Sequence, residues 1–142
     1  MSIHRILVPI DGSAPATAAL EHAIFIATAT GAALDVVTVV DLGQLNFYDG
    51  MYRTPEQVDA IETRVKQDVL DGAVATVADR VPATYSVLHG SILPTLLDRV
   101  AAAEIDLAVL GRTGKGAVER FFEGSVSRRL ATRCPVPVTV VG

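Results

Sequence analysis

The sequence contains little cysteine, no tryptophan and no long uncharged hydrophobic run. Cys134 is the only cysteine, which excludes an internal disulfide and a metal site built from several cysteines, and fits a reducing compartment. The longest uncharged stretch with strong apolar content, residues 22–34, is shorter than the ~18 residues that a membrane span needs. The first residues lack the basic, apolar and small-residue order of a signal peptide. We therefore expect a cytoplasmic protein that does not enter a membrane.

Several familiar catalytic motifs are also missing. Gly114-Lys115 is followed by glycine and has no partner glycine at Walker A spacing, so the segment is not a P-loop. Neither the G-x-G-x-x-G dinucleotide motif nor the G-x-S-x-G nucleophile elbow occurs. The histidines are separated, with no pair at metal-ligand spacing. No catalytic residue and no metal-ligand set is therefore predicted, and we expect at most a weak enzymatic activity.

Length and charge limit the organisation and the partners. The chain of 142 residues is half hydrophobic, which suits one domain over residues 1–142 with a large buried core. A net charge of −4 argues against general binding to nucleic acid or to an anionic membrane. Six basic residues nevertheless lie together in the last third of the sequence: Arg112, Lys115, Arg120, Arg128, Arg129 and Arg133. They favour either a small polyanionic ligand or an ordinary solvated helix face.

Apolar β-branched runs alternate with segments of helical periodicity. Strands are predicted over residues 3–10, 33–40, 83–89, 106–110 and within 136–141, with helices between them. Gly31 is a stop signal for the first helix, and Thr54 begins a capping box at the start of a long helix with an apolar stripe over residues 58–77. Ser91 is predicted to cap the next helix. This alternation indicates a parallel sheet covered by helices on both faces.

Glycines and a serine near the fourth strand form the outline of a phosphate cradle. Gly111, Gly114 and Gly124 follow the spacing G-x2-G-x9-G, and Ser125 comes directly after the last glycine. Glycine allows a close approach of the backbone to a ligand, and a serine can begin a helix whose free N–H groups attract anions. Because Gly111 follows a buried strand, the cradle should lie at the carboxyl edge of the sheet, where open α/β sheets bind ligands.

Asp11 ends the first predicted strand and belongs to the same edge. Two roles are open for its carboxylate: a local turn or helix-cap bond, or contact with a ribose or with phosphate through Mg²⁺. If the first and fourth strands are neighbours, Asp11 and Gly111 face each other across a crevice. The aromatic segment 43–53 could cover either a ligand there or a partner chain.

These segments together resemble the universal stress protein family, in its nucleotide-binding form. The resemblance covers the whole chain: residues 6–13 match the opening strand and acidic turn, Gly90-Ser91 the turn after the third strand, Gly111 to Ser125 the ATP motif, and residues 134–138 the closing segment. It implies a three-layer α/β/α fold with a five-stranded parallel sheet ordered 3-2-1-4-5, Rossmann-like and of the adenine nucleotide alpha hydrolase type. It also implies a homodimer paired through strand five, at Val138 and Val140.

The resemblance also assigns a nucleotide site. The adenine and ribose side corresponds to Pro9, Ile10, Asp11 and Val39, the phosphate turn to Leu110, Gly111, Arg112 and Gly114, and the anion site at a helix start to Gly124, Ser125 and Val126. For Arg112 and Lys115, phosphate contact is inferred from their charge. Glu123 places a negative charge beside this site, where it weakens binding unless it faces solvent or helps to hold Mg²⁺.

The function implied is an ATP-binding regulator of a stress response, whose occupancy changes the dimer or its contacts with a protein partner. Two alternatives remain. The first is a slow ATPase or self-phosphorylating protein, with Ser125 or Ser127 as the acceptor. The second is a nucleotide-free dimeric adaptor. AMP or a cyclic nucleotide could replace ATP, because the motif reports phosphate and not its number.

Overall fold

The computed structural model describes residues 2–41, 54–112 and 124–142, with the backbone alone for residues 124–126. The strands in this part are β1 Arg5–Pro9, β2 Ala33–Val40, β3 Ala83–His89, β4 Leu107–Gly111 and β5 Val138–Val141. The α-helices are α1 Ala14–Thr30, α2 Pro55–Val65, α3 Asp71–Val77, α4 Ile92–Ala102 and α5 Gly124–Arg133, with a π-helical segment Lys66–Leu70 between α2 and α3. The predicted alternation of strands and helices is confirmed.

The strands form one parallel sheet in the order β3-β2-β1-β4-β5. This confirms the predicted fold class and strand order. Helices α1 and α3 contact each other, as do α4 and α5, and right-handed crossovers place the first pair on one face and the second pair on the other. The sheet therefore changes its direction of growth between β1 and β4. A crevice at the carboxyl edge is expected at this position.

The central strands are buried on both faces, as the runs of apolar residues predict. Ile6, Leu7 and Val8 of β1 are fully buried. Helix α1 packs on the sheet through small residues at helical spacing, including Ala19 and Ala23, both without exposed surface. Gly31 ends this helix in the left-handed conformation, with φ at 76°, and its N–H donates to the carbonyl of Ala27. That bond is the usual way in which glycine satisfies a helix end.

The long helix predicted over residues 58–77 starts as expected but is not uniform. Thr54 accepts a hydrogen bond from Gln57 N, and the Gln57 side chain accepts one from Thr54 N, which completes the capping box. Mostly four-residue steps separate the apolar positions, so the stripe would drift by roughly 100° around an ideal α-helix of 3.6 residues per turn. A π-helical turn, in which Asp71 N donates to the carbonyl of Lys66, corrects this drift. Ala73 and Val77 are buried as a result.

Two local predictions need correction. Ser91 is the N-cap residue of α4, as predicted, but its side chain makes no capping hydrogen bond. Asp106 precedes β4, which begins at Leu107. Its side-chain Oδ2 accepts from His4 N at 2.8 Å and from Arg5 N at 3.1 Å. These bonds lower the pKa of Asp106, the bond from His4 most strongly. The side chain therefore fixes the start of β1.

A buried ion pair joins β2 to α4. Asp35, 2% exposed, accepts hydrogen bonds from Arg99 Nε at 2.7 Å and from Nη2 at 2.9 Å. Thr84 Oγ1 on β3 donates to the same carboxylate at 3.3 Å. The hydrogen bond to Asp35 raises the pKa of Arg99. A charge inside an apolar strand requires such a partner. This pair was not predicted from the sequence.

Candidate functional site at the carboxyl edge of the sheet

The predicted site residues in the described part of the chain meet at one edge. Pro9 is the last residue of β1, and Ile10 continues its pairing, because Ile10 N donates to the carbonyl of Val37 at 2.8 Å. Val39 lies two positions further along β2. Gly111 is the last residue of β4, which neighbours β1. The predicted adjacency of the first and fourth strands is therefore confirmed, and their ends lie at the position where a crevice is expected.

Asp11 makes a local turn bond at this edge. Its Oδ1 accepts from Ser13 N at 2.9 Å, and Gly12 between them has φ at 84°. Ser13 in turn caps α1, because its Oγ accepts from Ala16 N at 3.3 Å. The local role of the Asp11 carboxylate is thus observed. It uses one of the two oxygens, and Oδ2 makes no hydrogen bond within the described residues, so the second oxygen remains available to a ligand.

Gly111 is required by packing. A Cβ atom at this position would lie 2.5 Å from the carbonyl carbon and oxygen of Pro15, and 2.9 Å from Ala16 N. The end of β4 therefore lies directly against the first turn of α1, at a distance that no side chain permits. Leu110, beside it, is fully buried. The first glycine of the motif thus brings the helix start and the strand end together beside the crevice.

Ser127 links α5 to the same point. Its side chain is buried, 8% exposed, and its Oγ donates to the carbonyl oxygen of Gly111 at 3.5 Å. From the sequence, Ser127 is a candidate only for a phosphoryl acceptor. Its burial disfavours that role and shows a structural one instead. Ser127 lies about one helical turn after the start of α5, and this position in the sequence could have indicated its contact with Gly111.

Arg112, directly after β4, connects the end of that strand to β5. Its N–H donates to the carbonyl of Val141 at 2.7 Å. Its guanidinium lies beside Gly142, where an added Cβ would be 3.2 Å from Cζ and Nε. The exposed side chain therefore lies along the end of β5. Three further arginines of the basic set, Arg128, Arg129 and Arg133, are exposed on α5.

The remaining predicted residues lie partly or wholly outside the described residues. Gly124, Ser125 and Val126 form the first turn of α5, as expected for a helix that begins at the glycine-serine pair, but their side chains are not described. Gly114, Lys115, Arg120, Glu123 and the segment 43–53 lie outside the described residues.

The histidines lie in different elements, as expected. His89, at the end of β3, pairs with the Glu62 carboxylate on α2. Across residues 2–41, 54–112 and 124–142, no group of three or more His, Cys, Asp or Glu side chains is arranged to hold a metal ion. Among the helices described, none is both long and apolar enough to cross a membrane.

A doubly wound parallel sheet, with an acidic turn after β1 at the edge where β4 ends in Gly111, defines an α/β protein of the Rossmann-like class. The model of the universal stress protein family matches residues 2–142. The chain belongs to the universal stress protein family.

Individual relatives agree with this assignment. A Staphylococcus epidermidis protein of the same family name is 33% identical over 146 residues, covering 99% of this chain and 85% of the relative. A family member from Burkholderia pseudomallei superposes with a TM-score of 0.75 at 27% identity, over 98% of this chain and 96% of its own.

Two solved relatives contain nucleotides. The Archaeoglobus fulgidus universal stress protein in complex with dAMP has a TM-score of 0.70 at 23% identity, over 100% of both chains. A universal stress protein in complex with cAMP has a TM-score of 0.71 at 19% identity, over 100% of this chain and 99% of its own. At these identities the likeness to this chain is one of fold.

Proposed function

We propose that this protein binds an adenine nucleotide, with ATP as the leading candidate, in the crevice between the ends of β1 and β4, and that occupancy regulates a stress response. The observation that carries the proposal is the adjacency of β1 and β4, which brings Asp11 and Gly111 to the same crevice. The spacing from Gly111 through Gly124 to Ser125 is complete. Relatives of the same fold that hold dAMP and cAMP support the ligand class.

The parts of the site suit the two ends of a nucleotide. The start of α5 at Gly124 offers backbone N–H groups and the positive end of a helix dipole to phosphate. Ile10, 4% exposed, and Val39, 4% exposed, give the β1 and β2 side an apolar character suited to a base. Asp11 offers an oxygen to ribose hydroxyls or to Mg²⁺. If Mg²⁺ binds with ATP, it would neutralise phosphate charge, and Asp11 is the described residue that suits it.

The first experiment is mass spectrometry of small molecules released from denatured, freshly purified protein, followed by calorimetric titration with Mg·ATP, AMP and cAMP. We expect an adenine nucleotide to be released or to bind. An empty protein that binds none of the three would overturn the proposal and favour the nucleotide-free adaptor.

Asp11 allows a sharper test, because its turn bond and its charge can be separated. Asp11→Asn keeps an oxygen that accepts from Ser13 N, but removes the negative charge. We expect a fold of unchanged stability and a loss of Mg²⁺ dependence in ATP binding if the carboxylate bridges through the metal. Unchanged Mg²⁺ dependence would assign Asp11 to ribose or to the turn alone. The matched control is Asp71→Asn, which removes the same charge at an exposed position of α3.

The same proposal includes a cytoplasmic homodimer paired through β5. This strand is at the edge of the sheet, and Val140 is 43% exposed, so its backbone groups and apolar side chains are available to a second copy. Sedimentation of the wild type should show a dimer. Replacing Val138 and Val140 with lysine should give a monomer. A monomeric wild type would contradict the proposed dimer and would leave the proposed nucleotide binding unaffected.

A further inference from the structure

We propose that a groove between α1 and α3 is a second binding site, for a small ligand that joins an apolar body to a positively charged amine. The groove has a volume of about 180 Å³ and is lined by residues of the β1–α1 turn, of α1, of the π-helical segment and of α3. No residue of β4 or α5 lines it. Among the described residues, the groove shares Ile10 with the base side of the proposed nucleotide site but includes none of the proposed phosphate-binding residues, and its ligand does not depend on the proposed function.

The floor of the groove is apolar. Ala16, Leu20 and Ala73 line it and are between 1% and 4% exposed. The groove is open because a glycine occupies its α3 wall: a Cβ added at Gly72 would meet nothing within 4 Å. A glycine within a helix costs about 1 kcal/mol relative to alanine. Here it leaves space for an apolar group to bury its surface.

The polar groups at the groove are hydrogen-bond acceptors. Thr17 Oγ1 donates its hydrogen to the Ser13 carbonyl at 3.1 Å, and Thr76 Oγ1 donates to the Gly72 carbonyl at 2.9 Å. Each hydroxyl oxygen is left with lone pairs for an incoming donor. Asp68, the charged residue of the lining, has no hydrogen-bond or ion-pair partner among the residues that the structure describes. A ligand with N–H donors and a positive charge complements this set.

The volume limits the size of the ligand. An apolar cavity of about 150 Å³ accepts benzene, so this groove can hold one ring or a branched chain of similar size with an aminomethyl group. Benzylammonium is a suitable probe, and benzyl alcohol is its neutral counterpart. A fragment of this size is expected to bind with millimolar affinity.

The test is a titration of the full chain with benzylammonium, followed by amide chemical shifts. We expect shifts confined to residues 10–20 and 68–76, and binding of benzyl alcohol at least tenfold weaker. Asp68→Asn should weaken binding of benzylammonium about tenfold, and Asp71→Asn, which removes a carboxylate outside the groove, should not. No saturable shift in the wild type, or equal binding of the alcohol, would overturn the proposal.

A second variant tests the groove itself. Gly72→Leu places a side chain in the open space and should abolish binding of benzylammonium while the thermal midpoint stays at or above that of the wild type. Ala75→Leu adds the same side chain at an exposed position of α3 outside the groove and should leave binding intact. Retained binding by Gly72→Leu would refute the site. Since neither variant touches the crevice, their ATP titrations should match the wild type, which separates this outcome from that of the proposed function.

Discussion

Arg99 on α4 holds both carboxylate oxygens of Asp35 near the start of β2, at 2.7 and 2.9 Å. The carboxylate is almost fully buried, whereas the Arg99 side chain is 28% exposed. The pair joins a helix of one outer layer to the sheet beneath it. The ion pair thus has a structural role and is not part of the candidate site at the carboxyl edge.

Arg99→Met should reduce the free energy of unfolding by about 3 kcal/mol, because it leaves the buried Asp35 carboxylate without its partner. Asp35→Val combined with Arg99→Met should recover most of the loss, since it removes both charges. Urea unfolding measures both variants. Arg80→Met, which breaks the exposed pair with Glu21, is the control and should cost less than about 1 kcal/mol. A loss of similar size in Arg80→Met and Arg99→Met would contradict the role given to burial.

Gly111→Ala should destabilise the protein by about 2 kcal/mol or more, because the added methyl group would overlap the Pro15 carbonyl and force the strand away from α1. Gly72→Ala has open space around the new atom and should stabilise α3 by up to about 1 kcal/mol. Thermal unfolding compares the two. Equal midpoints would show that the contact between β4 and α1 is looser than the structure describes.

Ala78→Gly should increase stability by about 1 kcal/mol. Ala78 ends α3 with φ at 48° and ψ at −122°, a region that costs a non-glycine residue about 1 to 3 kcal/mol, more than the entropy that glycine adds to the unfolded chain. Ala75→Gly, within the same helix, should destabilise by about 1 kcal/mol. A loss of stability in both variants would show that the backbone at Ala78 is not strained.

Asp106 gives a prediction about pH. Its pKa in the folded protein lies below the ordinary value of 3.8, because backbone N–H groups of His4 and Arg5 stabilise its charge. The ionised Asp106 side chain therefore adds to the free energy of unfolding. This contribution is fully present above the ordinary pKa of 3.8 and is lost as the pH falls through the lower, folded-state pKa. Asp106→Asn should flatten the dependence of stability on pH in this acidic range, and Asp98→Asn should not. Parallel acid profiles for Asp106→Asn and the wild type would refute the assignment.

The strands and helices and their order along the chain could be predicted from the sequence. The signals for them, apolar periodicity and helix stops such as Gly31, depend only on residues close together in the sequence. The sequence also identified Asp11 and Gly111 as residues of one edge. It could not show that Gly111 is forced by Pro15, since that contact depends on how closely α1 approaches β4. Asp35 was missed for a related reason: its partner Arg99 lies far along the chain, and only the packing of α4 on β2 brings them together.

The contact of Asp106 with His4, between residues 102 positions apart, also has a kinetic meaning. Joining β4 to β1 requires closure of most of the chain, whereas β1 and β2 meet across a single helix, so loop-closure entropy favours the early formation of β1 with β2 and the later docking of β4. The crevice exists only after that late step. A molecule that occupies it would therefore bind chains that have completed folding, and would leave unfinished ones untouched.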